Sequence, residues 1–142
     1  MSKFIGKHLR VKVGSTELTD HIASVDVSET VDEIETTAFG SAARSRIAGL
    51  KDASVTISFH QDYDASSVNA TLATVFGGTS SVVILAATAT AQGTATATAP
   101  LYTVPVLASQ QTPVNGQIGD LTTFDVTWPA VGEITKSTTG TF

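Results

Sequence analysis

Several kinds of chemistry are excluded by what this sequence lacks. Its 142 residues include no cysteine, which excludes disulfides, thiolate catalysis and cysteine-bound zinc. The longest strictly apolar run, Val82–Ala87, has six residues, whereas a membrane-spanning helix needs about 20. The first residues include two early lysines and no sustained apolar run, so we do not expect them to act as a signal peptide. We therefore expect a soluble protein that is made in the cytosol.

Basic residues are scarce as well. Eight lysines and arginines stand against 13 aspartates and glutamates, and the formal net charge is −5. Tight nucleic-acid binding needs clustered basic residues that displace counterions from phosphates, so this balance argues against it. A surface along which DNA slides remains compatible with the composition, because like charges prevent adhesion.

Charged residues are missing altogether from the middle of the chain. No Asp, Glu, Lys or Arg occurs in residues 65–119, a stretch of 55 residues that is rich in Thr, Ala and Val. The surface of a free monomer normally carries interspersed charges. Two interpretations stay open, an exposed threonine-rich β surface and a surface that neighbouring molecules partly cover.

Alternation of apolar and polar residues, typical of half-buried strands, runs through most of the chain. His8–Val13 and Ile22–Glu29 both alternate, and we expect them to pair as a hairpin with a bulge near Ser24. Further strands are predicted over Ala53–His60, from Ser80 onward, over Ala99–Ser109 with Pro105 at an edge or bulge, and over Asp120–Trp128.

One segment has helical spacing instead. From Val68 to Phe76, apolar residues recur at i, i+4, i+7 and i+8. Asp64 is the expected N-cap and Gly77-Gly78 the expected end, which predicts a helix over 64–77.

These patterns predict one domain over residues 1–142. Its expected fold is mainly β, an antiparallel sandwich or barrel of seven or eight strands with one packed α-helix, a long inter-strand loop and extended termini. Ala86–Ala99 contains only Ala, Thr, Gln and Gly. Its alternation favours an extended hairpin with a mobile tip.

The long loop is expected at residues 29–50, where no clean period is visible. It is acidic first and basic later. About 20 residues without regular structure are unusual in a compact domain and typical of partner contact. A phosphate cradle built on Arg44, Arg46 and glycine amides is a second interpretation. The loop lacks the strand–loop–helix order of a nucleotide site, which favours docking onto another protein.

The sequence contains no catalytic motif of a serine hydrolase, zinc protease or P-loop enzyme. His60, Asp62 and Asp64 have a spacing that suits a divalent ion, but three ligands make an incomplete shell. Trp128 beside an alternating strand is more typical of a core than of a ligand platform. We therefore expect a non-enzymatic protein with no metal and no cofactor.

Two motifs together resemble the major tail proteins, or tail tube proteins, of long-tailed bacteriophages. Members often contain a T-x-F-G…I-P-G-L-x-D segment before a strand and a G-D-L…F-x-V-x-F…G-x-I-T-K/R ending. The first motif corresponds here to Thr37, Phe39, Gly40, Ile47, Gly49, Leu50 and Asp52, with Ala48 where proline is common. The second corresponds to Gly119, Asp120, Leu121, Phe124, Val126, Trp128, Gly132, Ile134, Thr135 and Lys136.

This resemblance implies a structural virion protein. Such subunits form stacked hexameric rings whose sheets join into a β-barrel around a lumen. The lumen first holds a tape-measure protein and later conducts genomic DNA, and the ends meet tail tip and terminator proteins. No membrane is involved, and assembly takes place in the host cytoplasm. The helix is expected outside the sheets.

The resemblance also implies contact segments. The N-terminal arm (1–7), the docking loop (29–50) and the C-terminal segment (131–142) are expected to contact neighbouring subunits and the next ring. Asp26 and Asp125 are candidate lumen-facing residues, because each alternates with core residues on a strand. The residues expected to dock are Phe39, Arg44, Arg46, Ile47, Leu50 and Lys51.

Two other functions remain compatible with the sequence. A capsid decoration protein or another virion β-sandwich shares this composition and needs no lumen. A carbohydrate-binding or adhesin module requires an aromatic platform, whereas the eight aromatics other than Trp128 are scattered along the chain.

Overall fold

The structure, a computed structural model, describes residues 6–142. That part contains eight β-strands, one α-helix and the short 3-10 turns Gly6–His8 and Thr19–His21. The strands are β1 (Arg10–Val13), β2 (Thr16–Glu17), β3 (Ile22–Glu35), β4 (Arg46–His60), β5 (Thr79–Leu85), β6 (Leu101–Leu107), β7 (Thr123–Pro129) and β8 (Thr135–Ser137), and the helix is α1 (Val68–Val75). Of the expected N-terminal arm, only Gly6 and Lys7 lie within the described residues.

The strands form two antiparallel sheets. One has the order β2-β1-β5-β6-β8 and the other the order β3-β4-β7. The predicted pairing of the first strand with Ile22–Glu29 is wrong, because β1 pairs with β2 and β5. Gly14, at φ +62°, turns the chain straight back into β2, and the following 3-10 turn carries it across to the other sheet. The predicted bulge is confirmed, since the β3–β4 register shifts between Ile22 and Ser24.

The inner faces of the two sheets enclose one apolar core, which confirms the predicted mainly β sandwich. Trp128 is 1% exposed, and its Nε1 donates to the Gln110 carbonyl at 2.9 Å, so this tryptophan belongs to the core as expected. The Phe59 and Phe124 rings stack at 5.4 Å between centroids. The other buried core residues are Val11, Val13, Leu18, Val55, Ile57, Val68, Leu72, Val82, Ile84, Val104, Val106, Ala108 and Val126.

The helix is shorter than the predicted span 64–77. Its N-cap is Ser67, and the prediction of Asp64 in that role is wrong. Its apolar face enters the core through Val68 and Leu72. Phe76 leaves the helix in extended conformation and is 53% exposed, so it does not extend the apolar stripe. No helix among residues 6–142 is long and apolar enough to cross a membrane.

The Ala/Thr segment does not form the predicted hairpin. Residues 86–99 fold over the outer face of the five-stranded sheet, where Ala87 and Ala95 pack with Leu85 and Phe142 into a second small core. The Phe142 N–H donates to the Gly93 carbonyl at 2.8 Å. The alanine side chains are small, so residues 86–99 lie close to the sheet. Phe142 is held there by this packing and by its hydrogen bond to Gly93.

Asp62 connects the end of β4 to the start of α1. Its Oδ2 accepts from Ser67 Oγ at 2.7 Å and lies 2.7 Å from His21 Nε2, while its Oδ1 accepts from the Asp64 N–H at 2.9 Å. This carboxylate, considered as a metal ligand on sequence grounds, is thus engaged within the fold. The Asp64 N–H first, and then Ser67 and His21, lower the pKa of Asp62.

Asp62→Asn is expected to lower stability at neutral pH. A lowered folded-state pKa stabilises the native state above the ordinary value of 3.8, and that contribution is lost as pH falls through the folded value. The denaturant midpoint of Asp62→Asn should therefore lie below wild type at pH 7 and converge with it in acid.

Asp64→Asn is the matched control, because within residues 6–142 the Asp64 carboxylate accepts no hydrogen bond. A wild-type midpoint for Asp62→Asn at pH 7, or a deficit of equal size at every pH, would contradict this role for Asp62.

Candidate functional site

A two-stranded ribbon projects from the three-stranded sheet. β3 has 14 residues and β4 has 15, whereas strands usually have about 3–10. The part beyond the sandwich, which we call the β-arm, consists of Glu29–Glu35, the connection 36–45 and Arg46–Leu50. Seven residues of strand reach roughly 20 Å. The prediction of a long loop over 29–50 is therefore wrong, since only its residues 36–45 lack strand structure.

The β-arm has no buried face. From residue 29 to residue 50 every side chain is exposed, except that Gly49 is partly covered. An isolated two-stranded ribbon is marginally stable in water. The β-arm therefore has the properties of an element that gains its packing from another molecule.

Ion pairs within the β-arm account for the order of charges in its sequence, with acidic residues first and basic residues later. Arg46 Nε lies 3.8 Å from Glu33 Oε2, and Arg44 Nε lies 3.7 Å from Glu35 Oε1. Lys51, just outside the β-arm, bonds to Glu133 at 2.5 Å. The three basic residues expected to dock onto a partner thus have partners within their own chain. Exposed pairs of this kind contribute about 0–1 kcal/mol each.

A β-bulge shapes the middle of the β-arm. Val31 pairs with Lys51 and Glu33 with Ala48, so Gly49 and Leu50 both lie opposite the single residue Asp32. A Cβ added to Gly49 would come within 3.0 Å of the Asp32 Cβ and 3.1 Å of the Ile34 Cδ1. A larger residue at position 49 would therefore have to displace the side chains of the other strand by a few tenths of an ångström.

The end of the β-arm presents an unprotected aromatic ring. The Ser41 N–H donates to the Ala38 carbonyl at 3.2 Å, and Gly40 has φ +86°, which is a turn that needs glycine at its third position. Phe39 precedes Gly40 in this turn and is fully exposed. The turn therefore holds the apolar side chain of Phe39 exposed to solvent.

The structure brings the predicted apolar anchors onto one projecting element and adds two residues to them. Leu50 is 81% and Ile47 57% exposed. Val31 and Ile34, also exposed on the β-arm, were not among the predicted contact residues because they lie in its acidic half. A second exposed apolar group lies at the other end of the sheet, in Tyr63, Val114, Ile118 and Leu121.

The two candidate lumen residues share one face of the three-stranded sheet. Asp26 pairs with Thr56, and Asp125 pairs with Ser58, both on the face opposite the core. No lysine or arginine lies on this face between Ser24 and Ser28 or on the strand segments paired with them. The face carries Ser24, Asp26, Ser28, Ser54, Thr56, Ser58, Thr123, Asp125 and Thr127.

Two hydrogen bonds establish which backbone groups point away from this sheet. Ala130 N–H donates to Ala53 C=O, and Gln61 N–H donates to Thr122 C=O, each at 2.9 Å. Odd-numbered residues of β4 therefore bond to β7 and even-numbered ones to β3. Both outer strands consequently have an outer edge that pairs with no further strand within residues 6–142. Its outward-facing backbone groups belong to Val25, Val27, Glu29 and Val31 on β3 and to Thr123, Asp125 and Thr127 on β7.

The fold is similar to that of a chain in a solved structure. It is a chain from the virion of a native gene transfer agent (GTA) particle, with a TM-score of 0.72 and 13% sequence identity, over 95% of this chain and 99% of that chain. No protein-family model and no curated protein matches the sequence. At this identity the comparison shows that the fold is shared.

Because Phe39 packs against nothing within residues 6–142, its removal is expected to leave the stability of the monomer unchanged. Phe39→Ala should alter the free energy of unfolding by less than about 0.5 kcal/mol. Phe59→Ala, a matched control in the core, should cost about 3–5 kcal/mol. Denaturant unfolding at low protein concentration measures both. A cost above 2 kcal/mol for Phe39→Ala would contradict the free-standing turn.

Proposed function

We propose that this chain is a structural virion protein that assembles into stacked rings and forms a tail tube. The observation that carries the proposal is the β-arm, an ordered ribbon with exposed apolar residues and no packing of its own. Its tip, with Phe39 and the arginines nearby, would dock onto a subunit of the next ring. Contacts between unlike surfaces of successive rings do not close on themselves, so they would generate a filament.

Lateral joining of subunits is supported by the outer edges of β3 and β7, which pair with no further strand within residues 6–142. An exposed edge strand is a template for pairing with another chain. Pairing of β3 in one subunit with β7 in the next would continue the three-stranded sheet around a ring. Such joining also accounts for the outer edge of β3, whose outward-facing backbone groups at Val25, Val27 and Glu29 have no hydrogen-bond partner within residues 6–142.

The polar face of that sheet suits a lumen. It carries hydroxyl groups and the carboxylates of Asp26 and Asp125. The two carboxylates are negatively charged, as phosphates are. DNA would pass such a wall without specific binding, because like charges repel. The virion origin of the chain with a similar fold is consistent with this assignment.

The proposal includes no catalysis. The chain would act through homo-oligomeric contacts, with six subunits in each ring. Its other partners would be a tape-measure protein, tail tip and terminator proteins, and the DNA in transit. Its location would be the tail of the virion, after assembly in the host cytoplasm.

Negative-stain electron microscopy of purified protein tests the assembly, and Glu29→Pro tests its lateral contact. Wild type is expected to form rings or tubes with a central hole. Proline at 29 removes an N–H that faces the free edge, so the monomer should stay folded while assembly is lost.

Glu29→Ala, which keeps the N–H, is the control for Glu29→Pro and should assemble as wild type does. A wild-type protein that stays monomeric at every concentration, with or without a tail tip, would overturn the proposed function. Normal tubes from Glu29→Pro would overturn the lateral contact alone.

Charge-reversal variants distinguish two possible roles of Arg44 and Arg46, which are docking onto the next ring and ion pairing within the β-arm. Arg44→Glu with Arg46→Glu is expected to block stacking and leave the monomer folded, since each exposed pair contributes at most about 1 kcal/mol. The fourfold variant that adds Glu33→Arg and Glu35→Arg restores both internal pairs with reversed sign.

If the arginines contact a carboxylate surface on the next ring, the fourfold variant should remain defective in sedimentation and microscopy. Recovery of tubes by the fourfold variant would assign the arginines to the β-arm alone and contradict the docking role.

A further inference from the structure

The two outer edges of the three-stranded sheet are not equivalent. Along β3, within residues 6–142, the outward-facing backbone groups of Val25, Val27 and Glu29 have no hydrogen-bond partner. Along β7, residues 109–122 cross the edge as an irregular segment, which we call the strap. One edge is thus available for pairing and the other is covered.

Two side chains of the strap occupy the hydrogen-bonding groups of β7. Gln110 Oε1 accepts from the Thr127 N–H at 2.9 Å, and Asn115 Nδ2 donates to the Thr123 carbonyl at 2.6 Å. These are the groups that an added strand would use. Asp125 lies between them, with its own outward-facing groups unpartnered within residues 6–142.

The strap is held by side chains and has no β-ladder to β7. Gln61 Nε2 donates to the Thr112 carbonyl at 3.1 Å, and Tyr63 Oη donates to the Pro113 carbonyl at 2.9 Å. The Trp128 Nε1 bond to Gln110 fixes the other end. A few isolated hydrogen bonds of this kind can be broken and replaced more readily than the continuous hydrogen bonding of a β-ladder.

We propose that the strap is a removable guard that keeps the free subunit from adding strands at β7. Its displacement would expose Thr123, Asp125 and Thr127 to the β3 edge of a second copy. The inference rests on the proposed function, because the occupant of the uncovered edge is another subunit. Assembly would exchange two side-chain bonds for backbone bonds between subunits.

Gln110→Met combined with Asn115→Leu tests the guard, because both substitutions keep side-chain size and remove the capping atoms. The concentration required for assembly, measured by light scattering and sedimentation, is expected to fall roughly threefold to tenfold for each cap removed. The lag before assembly should shorten. Hydrogen exchange at the Thr127 amide, measured on the monomer, should become faster.

Gln117→Met is the matched control, because the Gln117 side chain forms no hydrogen bond within residues 6–142. The single variants Gln110→Met and Asn115→Leu should each give an intermediate effect, which covers the case of a misfolded double variant.

The outcomes distinguish the guard from the proposed function. Faster exchange at Thr127 with an unchanged or higher assembly concentration would overturn the guard and leave tube formation standing. A failure of wild type and all variants to form rings or tubes would overturn the proposed function, and the guard with it. Assembly by the double variant under conditions where wild type stays monomeric would support both.

Discussion

The antiparallel pairing of β3 with β4 connects two regions with opposite environments. In its first half, Val25, Ile57 and neighbouring residues cover the core of the sandwich. In its second half the same ladder continues into water as the β-arm. The folded half fixes the direction and register of the exposed half, so no separate core is needed to hold the arm. A pre-formed arm loses less conformational entropy on docking than a flexible loop would.

The open edges follow from the same arrangement. Because β4 is central, β3 and β7 each use only one side of their backbone within the sheet. The strap covers the β7 edge, whereas the β3 edge has no such cover within residues 6–142. In the assembly that we propose, covering one of the two edges would control when strands are added. It also limits the aggregation that exposed edges promote.

The sequence predicted the strands wherever one face is buried. Val55, Ile57 and Phe59 alternate with polar residues because one face of β4 contacts the core. The same strand was missed in the β-arm, where both faces meet solvent and burial imposes no period. Alternation in a sequence reflects the burial of one strand face, so it cannot reveal a strand whose two faces are both exposed.

Other features depend on contacts between distant parts of the chain. Ala87 and Ala95 are buried because Phe142 returns to the same sheet, and no local pattern records that return. The N-cap of the helix is Ser67, and the Asp62 carboxylate holds the preceding turn by accepting from the Ser67 hydroxyl and the Asp64 N–H. Of the candidate site, Phe39, Ile47 and Leu50 were predicted from the sequence as contact residues, and all three are exposed. The pairs that engage the arginines within the arm required the register of the two strands.

Hydrogen exchange of the β3 amides tests the central claim, that free edges join subunits into a continuous sheet. In the monomer, the outward-facing amides of Val25, Val27 and Glu29 should exchange faster than the paired amides of Ser24, Asp26 and Ser28. In assembled rings or tubes the outward-facing amides should become protected to the level of their neighbours. Unchanged, fast exchange at all three positions in the assembled state would contradict the account.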